Sequence, residues 1–536
     1  MPFRILVTDG VDQEGVAILS AVPEFQIDEV PTLPPEELLQ RIGAYDAIVG
    51  RSATRISEAL LRAATRLQVV GRAGVGVDNV AVASATALGV AVINAPAGNT
   101  IAVAELFFAS LIGLLRQLPR AHQSIREGRW VRADLLGTEI KGKTLGIVGV
   151  GRIGGEIATR AHAFGMELVG FDPYVADERF ESLRVRRCAT LHDLLGTCDI
   201  VTVHTPLTDE TRGMIGSTEL ARLRPGAIVA NLARGGIVDE AALIAALNSG
   251  HLGGATIDAF TSEPLPADHP FRQVPNVLLT PHIGASTAEA QRNVSVDVCV
   301  AVRDALLTNE LSRSLNVAMG GGDWQALQPA LLVARRAAAV ARARLAERGA
   351  RAITSITVRL GPELAQARGP VLAAAALGTL EGFLAGERLN LINARSVAQS
   401  RGIELRYAES AVPPHARAVE VRLAADGQEE RVGGVAALDA PPRLTRIGDF
   451  HVDVAPRGTL LVLTNRDVPG VIGRVGTALG GAMVNIAEYH QARLAQGGDA
   501  LAVISVDGVV GDDVRRALLA LPDVRSATVV RFGGEA

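Results

Sequence analysis

The chain has 536 residues, is 48% hydrophobic, carries a formal net charge of -4 and holds only three cysteines. That length calls for several domains. The near-balanced charge shows no basic stripe for nucleic acid, and Cys188, Cys198 and Cys299 are too few and too scattered for a disulfide frame or a metal site. No uninterrupted apolar run reaches membrane length, since the stretch from Gly369 to Leu380 stops at Glu381, and Met1-Pro2-Phe3-Arg4 is no signal peptide. A soluble, cytoplasmic protein with no nucleic-acid or membrane partner is the expectation.

Residues 1–96 carry βα units, from the strand-like Ile5-Leu6-Val7-Thr8 to Ala91-Val92-Ile93-Asn94. Within them lies Gly71-Arg72-Ala73-Gly74-Val75-Gly76-Val77-Asp78-Asn79. Successive backbone N–H groups in such a glycine-rich turn form a nest for a carboxylate. A mostly apolar helix is predicted from Ile101 to Leu118, buried between domains or subunits.

The apolar strand Leu145-Gly146-Ile147-Val148 runs into Gly149-Val150-Gly151-Arg152-Ile153-Gly154, and a helix follows through Ala161. The next strand, Glu167 to Phe171, ends at Asp172. Strand, glycines, helix, strand and acid in that order make a dinucleotide site. Gly149 allows the tight turn, Gly151 lets the backbone approach a pyrophosphate, and Gly154 lets the helix pack close. Asp172 would accept from ribose hydroxyls and repel a 2′-phosphate, so NAD is expected over NADP.

Three later strands each deliver a polar residue suited to chemistry. Ala227 to Asn231 leads to Arg234, Ala255 to Ile257 leads to Asp258 and then Glu263, and Val277 to Thr280 leads to His282. Strand ends of a parallel sheet are where ligands bind. Neutral histidine can take a hydroxyl proton, a carboxylate can hold its tautomer, and a guanidinium grips a carboxylate at two points. Together they describe hydride removal from a 2-hydroxy acid. His204, after Val201-Thr202-Val203, lines the cofactor cleft in this reading and has no proton-transfer role.

The segments Asn231-Leu-Ala-Arg234-Gly-Gly-Ile-Val-Asp-Glu, Asp258-Ala-Phe-Thr-Ser-Glu263-Pro and Pro281-His282-Ile-Gly-Ala-Ser-Thr resemble the signatures of the D-isomer-specific 2-hydroxyacid dehydrogenases. Over essentially its whole length the chain is most similar to long-form members that oxidise 3-phosphoglycerate in serine biosynthesis. The resemblance implies His282 as acid/base, Glu263 as its orienting partner and Arg234 as the substrate clamp. It extends the NAD site to Thr205, Pro206, Ala233, Asp258, Gly284 and Ala285, with Asp258 at the nicotinamide amide. It assigns substrate contacts to Arg51, Arg72, Gly74, Val75 and Asn99, and sends Arg132 into a neighbouring subunit's site, which makes a homo-oligomer, dimer or tetramer, the expectation. Two other readings stay open: a dehydrogenase for another 2-hydroxy acid such as glycolate, and a non-enzymatic NAD-sensing corepressor.

Past Asn316 the catalytic machinery is complete. Gly320-Gly321-Gly322 reads as a linker and Leu331 to Ala346 as a helix, while Glu387-Arg-Leu-Asn-Leu-Ile-Asn-Ala resembles the intervening domain of the long forms. That domain is either an anion-sensing or spacer module, or scaffolding for assembly. From Gly458 to Phe532 the pattern is βαββαβ, a ferredoxin-like unit. Asn465-Arg-Asp467-Val-Pro-Gly470 and Asn485 resemble the ligand loop of ACT domains, which implies L-serine as effector between paired domains, held by Asn465, Asp467 and Asn485.

The expected fold class is therefore α/β: a Rossmann-like NAD domain (97–283) inserted in a flavodoxin-like substrate domain (1–96 and 284–316). An α+β intervening domain (317–450) and a βαββαβ ACT domain (457–536) follow.

Overall fold

The computed structural model describes residues 2–317, 323–381, 388–409 and 415–532. The expected linker at Gly320-Gly321-Gly322, and Glu387 of the intervening segment, lie outside the described residues. Mixed α/β architecture is built on two parallel sheets, a mixed sheet and an antiparallel sheet.

The first sheet contains β1 (Phe3–Val7), β2 (Phe25–Glu29), β3 (Ala47–Gly50), β4 (Val69–Arg72) and β5 (Ala91–Asn94), in the order β2-β1-β3-β4-β5. β3 and β5 are buried along their whole length and show no polar/apolar alternation, β5 closing on the buried polar Asn94. The second sheet holds β6 (Thr144–Val148), β7 (Glu167–Phe171), β8 (Arg186–Arg187), β9 (Ile200–Val203), β10 (Ala227–Asn231), β11 (Leu252–Ile257) and β12 (Val277–Leu279). Its order is β12-β11-β10-β9-β6-β7-β8, so the direction of winding reverses between β6 and β9. A cleft at the carboxyl ends of strands opens at such a reversal.

The chain crosses back after β12. Helix Ala288–Thr308 lays Val294, Val298, Val302 and Ala305 into the core of the first sheet. Ser314 bridges to Ile93, and the Asn316 side chain accepts from Val92 N at 3.0 Å and donates to Val90 O at 2.8 Å. These bonds seal the exposed edge of β5.

One helix departs from the sequence reading. The run predicted from Ile101 to Leu118 ends at Leu115, Gln117 adopts φ 50°, and a second helix covers Leu118–Arg126. Pro119 explains the break, because it has no N–H to offer the Leu115 carbonyl. The first part is buried as expected, with Val103, Phe107, Phe108 and Leu111 packed against Leu145 and Ile147 of the second sheet.

In the mixed sheet β13 (Ile353–Leu360), β14 (Glu404–Tyr407), β15 (Ala418–Ala425), β16 (Gln428–Val435), β17 (Arg443–Ile447) and β18 (Phe450–Val454) run in the order β14-β13-β15-β16-β17-β18. The helix predicted from Leu331 starts earlier, at Trp324, capped by the Asp323 carboxylate, and runs to Glu347. Its alanines let helix Arg368–Leu380 approach closely: a Cβ on Gly378 would stand 1.9 Å from the Arg335 carbonyl oxygen. Last come β19 (Thr459–Arg466), β20 (Ile486–Arg493), β21 (Asp499–Val506) and β22 (Val524–Arg531), antiparallel in the order β20-β21-β19-β22. This unit docks on the preceding one, with the Arg336 guanidinium 4.7 Å from the Phe532 ring centroid and Arg515 paired to Glu347 at 2.5 Å. Among the described residues no single helix is long and apolar enough to cross a membrane.

Candidate active site

The polar residues expected around the cofactor and the substrate, Arg132 apart, stand at or after the ends of strands of the two parallel sheets. Arg51 follows β3, Arg72 ends β4 and Asn99 follows β5; Gly149, Asp172, His204, Arg234, Asp258 and His282 follow β6, β7, β9, β10, β11 and β12. Parallel strands all end on the same side, so the topology alone gathers these residues at one cleft.

The glycine loop has the geometry of a phosphate cradle. Gly149 has φ 92°, a region that a side chain disfavours, and a Cβ there would lie 2.6 Å from the His204 carbonyl oxygen. Gly151 faces open space, while a Cβ on Gly154 would collide with the Gly149 carbonyl oxygen at 2.2 Å. Helix Arg152–Ala163 begins immediately after Gly151, so its positive end faces that space. Arg152 is exposed and Ile153 packs inward against the apolar core. Asp172 braces the loop by accepting from Val150 N at 3.0 Å and from Tyr174 N at 3.0 Å. The residues present therefore fit a dinucleotide.

His204 flanks the loop. Its Nε2 is 2.8 Å from Thr202 Oγ1, its Nδ1 is buried without a partner, and the ring meets Phe107 edge-on. Burial pushes the imidazole down to about 3, so it is neutral at working pH. Thr205 Oγ1 is likewise buried and unpartnered, and Pro206 follows on the same stretch, its carbonyl accepting from Thr211.

Glu263 and His282 come together as the sequence suggested. His282 Nδ1 lies 2.7 Å from Glu263 Oε2 and 2.9 Å from Oε1. A carboxylate can only accept, so Nδ1 carries the proton and Nε2 keeps a free lone pair. Glu263 Oε1 also accepts from Phe260 N at 2.9 Å, which fixes its own rotamer. His282 has φ 52°, held by its surroundings rather than by preference.

Asp258 does that holding. It is buried; Oδ1 accepts from Thr280 Oγ1 at 2.6 Å and from Ile283 N at 2.8 Å, and Oδ2 accepts from Gly284 N at 2.8 Å. These bonds brace the loop on both sides of His282, with Ala285 just beyond it, its carbonyl accepting from Gln291. Burial raises the carboxyl above its ordinary value, opposed by those same bonds.

Arg234 is shaped from both sides. Asn231 donates from Nδ2 to the Arg234 carbonyl at 2.8 Å and accepts from Ala233 N at 3.2 Å, while Arg234 Nη1 donates to the Ala233 carbonyl at 2.7 Å. A Cβ on Gly235 would fall 1.9 Å from the Phe260 carbonyl carbon, so only glycine lets this turn nest beside the Glu263 loop. Arg234 Nε reaches Asp78 Oδ2 at 3.1 Å across the cleft.

On the other wall, Arg72 lies over the glycine turn, and a Cβ on Gly74 would overlap its Nη1 at 1.3 Å. Burial, then Arg234 and Arg51 as like charges, depress the Arg72 guanidinium to about 10, with Asp78 and Asp9 acting the other way. Three cations thus share one region, which favours a ligand of more than one negative charge. Arg72 Nε and Asn99 Oδ1 are buried without partners. Val75 gives its carbonyl to Asn94 Nδ2. Asp9 organises the Arg51 turn, accepting from Arg51 N at 2.8 Å and Thr54 N at 3.0 Å.

Two of the expected sets lie outside this cleft. Arg132 sits on an exposed arm beside Trp130 and Leu136, which are 81% and 89% exposed, and the chain does not bring it to its own cleft. The three effector residues do not converge within one chain. Asn465 pairs with Ala500 in the sheet whereas Ile486, next to Asn485, pairs with Val506, so they lie about 20 Å apart along β21. Each is also engaged: Asn465 Nδ2 with the Arg466 carbonyl at 2.8 Å, Asp467 with Arg493 at 3.0 Å, and Asn485 with Asp507 at 2.6 Å. Arg493 holds the Asp467 carboxyl below its ordinary value, so an ammonium ligand would have to displace it.

The site residues that sequence reasoning passed over are Asp9, Asp78, Asn231, and Glu240, which accepts from Thr261 N at 2.6 Å behind the Glu263 loop. Asp78 and Asn231 stood inside the motifs quoted above. Glu240 closes the quoted Arg234 segment, 21 residues from its partner Thr261; nothing in the sequence marks Asp9, whose partners Arg51 and Thr54 lie 42 and 45 residues away.

Residues 108–284 match the family model of the D-isomer specific 2-hydroxyacid dehydrogenase NAD-binding domain, and the chain belongs to that family of NAD-dependent enzymes. Relatives similar to it over nearly the whole length of both chains include D-3-phosphoglycerate dehydrogenases. That of Synechocystis sp. is 37% identical over 536 residues, covering 99% of this chain and 95% of the relative. That of Bacillus subtilis is 36% identical over 533 residues, covering 98% and 99%. Among solved structures, a glyoxylate reductase from Paecilomyes thermophila is similar with TM-score 0.54 and 30% identity, covering 59% of this chain and 99% of that one.

Proposed function

We propose that this protein oxidises 3-phospho-D-glycerate to 3-phosphohydroxypyruvate with NAD, the first step of the phosphorylated route to L-serine. The observation that carries the reading is the arginine trio Arg51, Arg72 and Arg234 standing, like the His282–Glu263 pair, at the strand ends of the two parallel sheets, since the substrate bears a carboxylate, a phosphate and a hydroxyl. The full-length relatives support the same substrate. When bound, NAD accepts the hydride from C2.

The chain's own residues supply the rest. Arg234 grips the carboxylate with its terminal nitrogens, Arg51 and Arg72 meet the phosphate, and the N–H groups at Gly74 and Val75, with Asn99, complete the substrate site. His282 Nε2 takes the hydroxyl proton, and Glu263 stabilises the imidazolium that forms. Asp258 fixes the loop that aims His282. Closing the cleft around these groups excludes water from the transfer.

The four sheets support a division into a discontinuous substrate domain (1–96, 284–316), an NAD domain (97–283), an intervening domain (317–450) and an ACT domain (457–536), with β18 carrying the third unit past 450 to Val454. A homo-oligomer is supported by the exposed arm carrying Trp130, Arg132 and Leu136. A serine site between paired ACT domains is consistent with Asn465 and Asn485 lying at opposite ends of one sheet, since a second domain is needed to bring such residues together. We place the enzyme in the cytoplasm.

The direct test is NADH formation from 3-phosphoglycerate and NAD, and NADH consumption with 3-phosphohydroxypyruvate, each with and without millimolar L-serine. Turnover supports the substrate, and suppression by serine supports the effector reading. Turnover only with unphosphorylated 2-oxo acids would replace the substrate assignment.

A further inference from the structure

Arg234 and Asp78 are 156 residues apart and belong to opposite walls of the cleft. Asp78 stands on the turn after β4 in the first sheet; Arg234 stands on the turn after β10 in the second. Their contact uses the Nε edge of the guanidinium, at 3.1 Å from Asp78 Oδ2. Nη1 is tied at 2.7 Å to the Ala233 carbonyl. Of the five N–H groups of an arginine, three are left, on the terminal nitrogens. Those are the groups that match the two oxygens of a carboxylate.

The turn itself is cut to receive this pair. A Cβ on Gly76 would lie 1.9 Å from Arg234 Nη2 and 2.7 Å from Asp78 Oδ2, so guanidinium and carboxylate both rest on the bare backbone of that glycine. The Asp78 side chain is 70% exposed and that of Arg234 27%. As an isolated ion pair at such exposure it would add little to stability. Its value is geometric, because it joins residues carried by the two opposite walls of the cleft.

We infer that Asp78 is a positioning residue for Arg234: it holds the Nε edge from across the cleft, so that the terminal nitrogens meet the substrate carboxylate only when the two walls are together. The inference rests on Arg234 receiving that carboxylate, and it gives the enzyme a way to couple closure to substrate grip. Asp78 also offsets one charge where Arg51, Arg72 and Arg234 crowd.

The test uses the full chain carrying Asp78→Ala or Asp78→Asn, each alone and in an Arg234→Lys background. Steady-state kcat and KM are measured with 3-phosphoglycerate and with any 2-oxo acid the wild type reduces, and NADH affinity by fluorescence. Asp78→Ala should lower kcat/KM about 10- to 100-fold through both parameters, the scale of a misplaced clamp, with NADH affinity unchanged. Asp78→Asn, which keeps an acceptor at the same point, should retain activity within about threefold. In the Arg234→Lys background, where no Nε edge exists, Asp78→Ala should cost less than about threefold.

A wild-type-like Asp78→Ala enzyme overturns the inference. So does a loss that persists undiminished in the Arg234→Lys background, because that is the mark of a merely structural role. An Asp78→Asn enzyme as weak as Asp78→Ala does so too. Failure of the wild type on 3-phosphoglycerate alone would sink the substrate assignment and leave this test standing, since every 2-oxo acid carries the carboxylate that Arg234 grips.

Discussion

His282 presents Nδ1 to both oxygens of Glu263, at 2.7 and 2.9 Å, although the two residues arrive on separate strand ends. The pairing makes Nε2 the only ring nitrogen able to accept a proton, and it follows from a carboxylate having no proton to give. Substitution of Glu263 by Gln should therefore reverse the tautomer, because the amide donates to Nδ1. We expect Glu263→Gln to lower kcat by about 100-fold or more with NADH affinity preserved, checked by steady-state rates and a fluorescence titration.

Arg234 holds its guanidinium by two separate contacts, Nε to Asp78 and Nη1 to the Ala233 carbonyl. Lysine carries a point charge and reproduces neither. Arg234→Lys should raise KM for the hydroxy acid and lower kcat together, with a combined loss of about 100-fold or more in kcat/KM. An enzyme with both parameters unchanged would remove Arg234 from the substrate site.

Asp258 uses both carboxylate oxygens to pin the loop around His282. In Asp258→Asn one acceptor becomes a donor facing Gly284 N, leaving two donors opposed. The expected result is a roughly tenfold or greater fall in kcat with a lower melting temperature, since a buried unsatisfied donor costs about 1–3 kcal/mol. Calorimetry alongside turnover separates the two effects.

His204 has its folded pKa depressed from 6.5 to about 3 by burial. Between those values the unfolded chain binds a proton that the folded chain does not, so stability falls as pH drops through that window. The slope is about 1.4 kcal/mol per pH unit for one such group. His204→Gln should flatten the acid side of a melting-temperature profile between pH 6 and pH 4, roughly, and leave the profile near neutrality unchanged. An unaltered acid limb would show that another group controls it.

Much of this molecule was written locally. Gly149 to Gly154 with Asp172, and the strand-end residues Arg234, Glu263 and His282, were legible because a parallel strand, a glycine turn and a following helix each leave a short-range signature. The three-residue overrun at the end of the Ile101 helix had a local cause too, in Pro119, and was passed over because apolar periodicity continued across it. The spacing of the ACT effector set was not legible in the sequence. Asn465, Asp467 and Asn485 look like one cluster in sequence, but the antiparallel register of β19, β20 and β21 puts Asn485 at the far end from the other two.

The sequence by itself determined the class of fold, the glycine loop and the residues of the His282–Glu263 pair proposed to move a proton, since each depends on residue type and spacing over a few turns of chain. Only the tertiary structure decided which groups meet across the cleft: Asp78 with Arg234, Asp9 beneath the Arg51 turn, Asp258 around His282, and Arg72 among its fellow cations. Those contacts join segments tens to more than a hundred residues apart, and a hydrogen bond depends on position to within a fraction of an ångström, which spacing along a sequence does not encode.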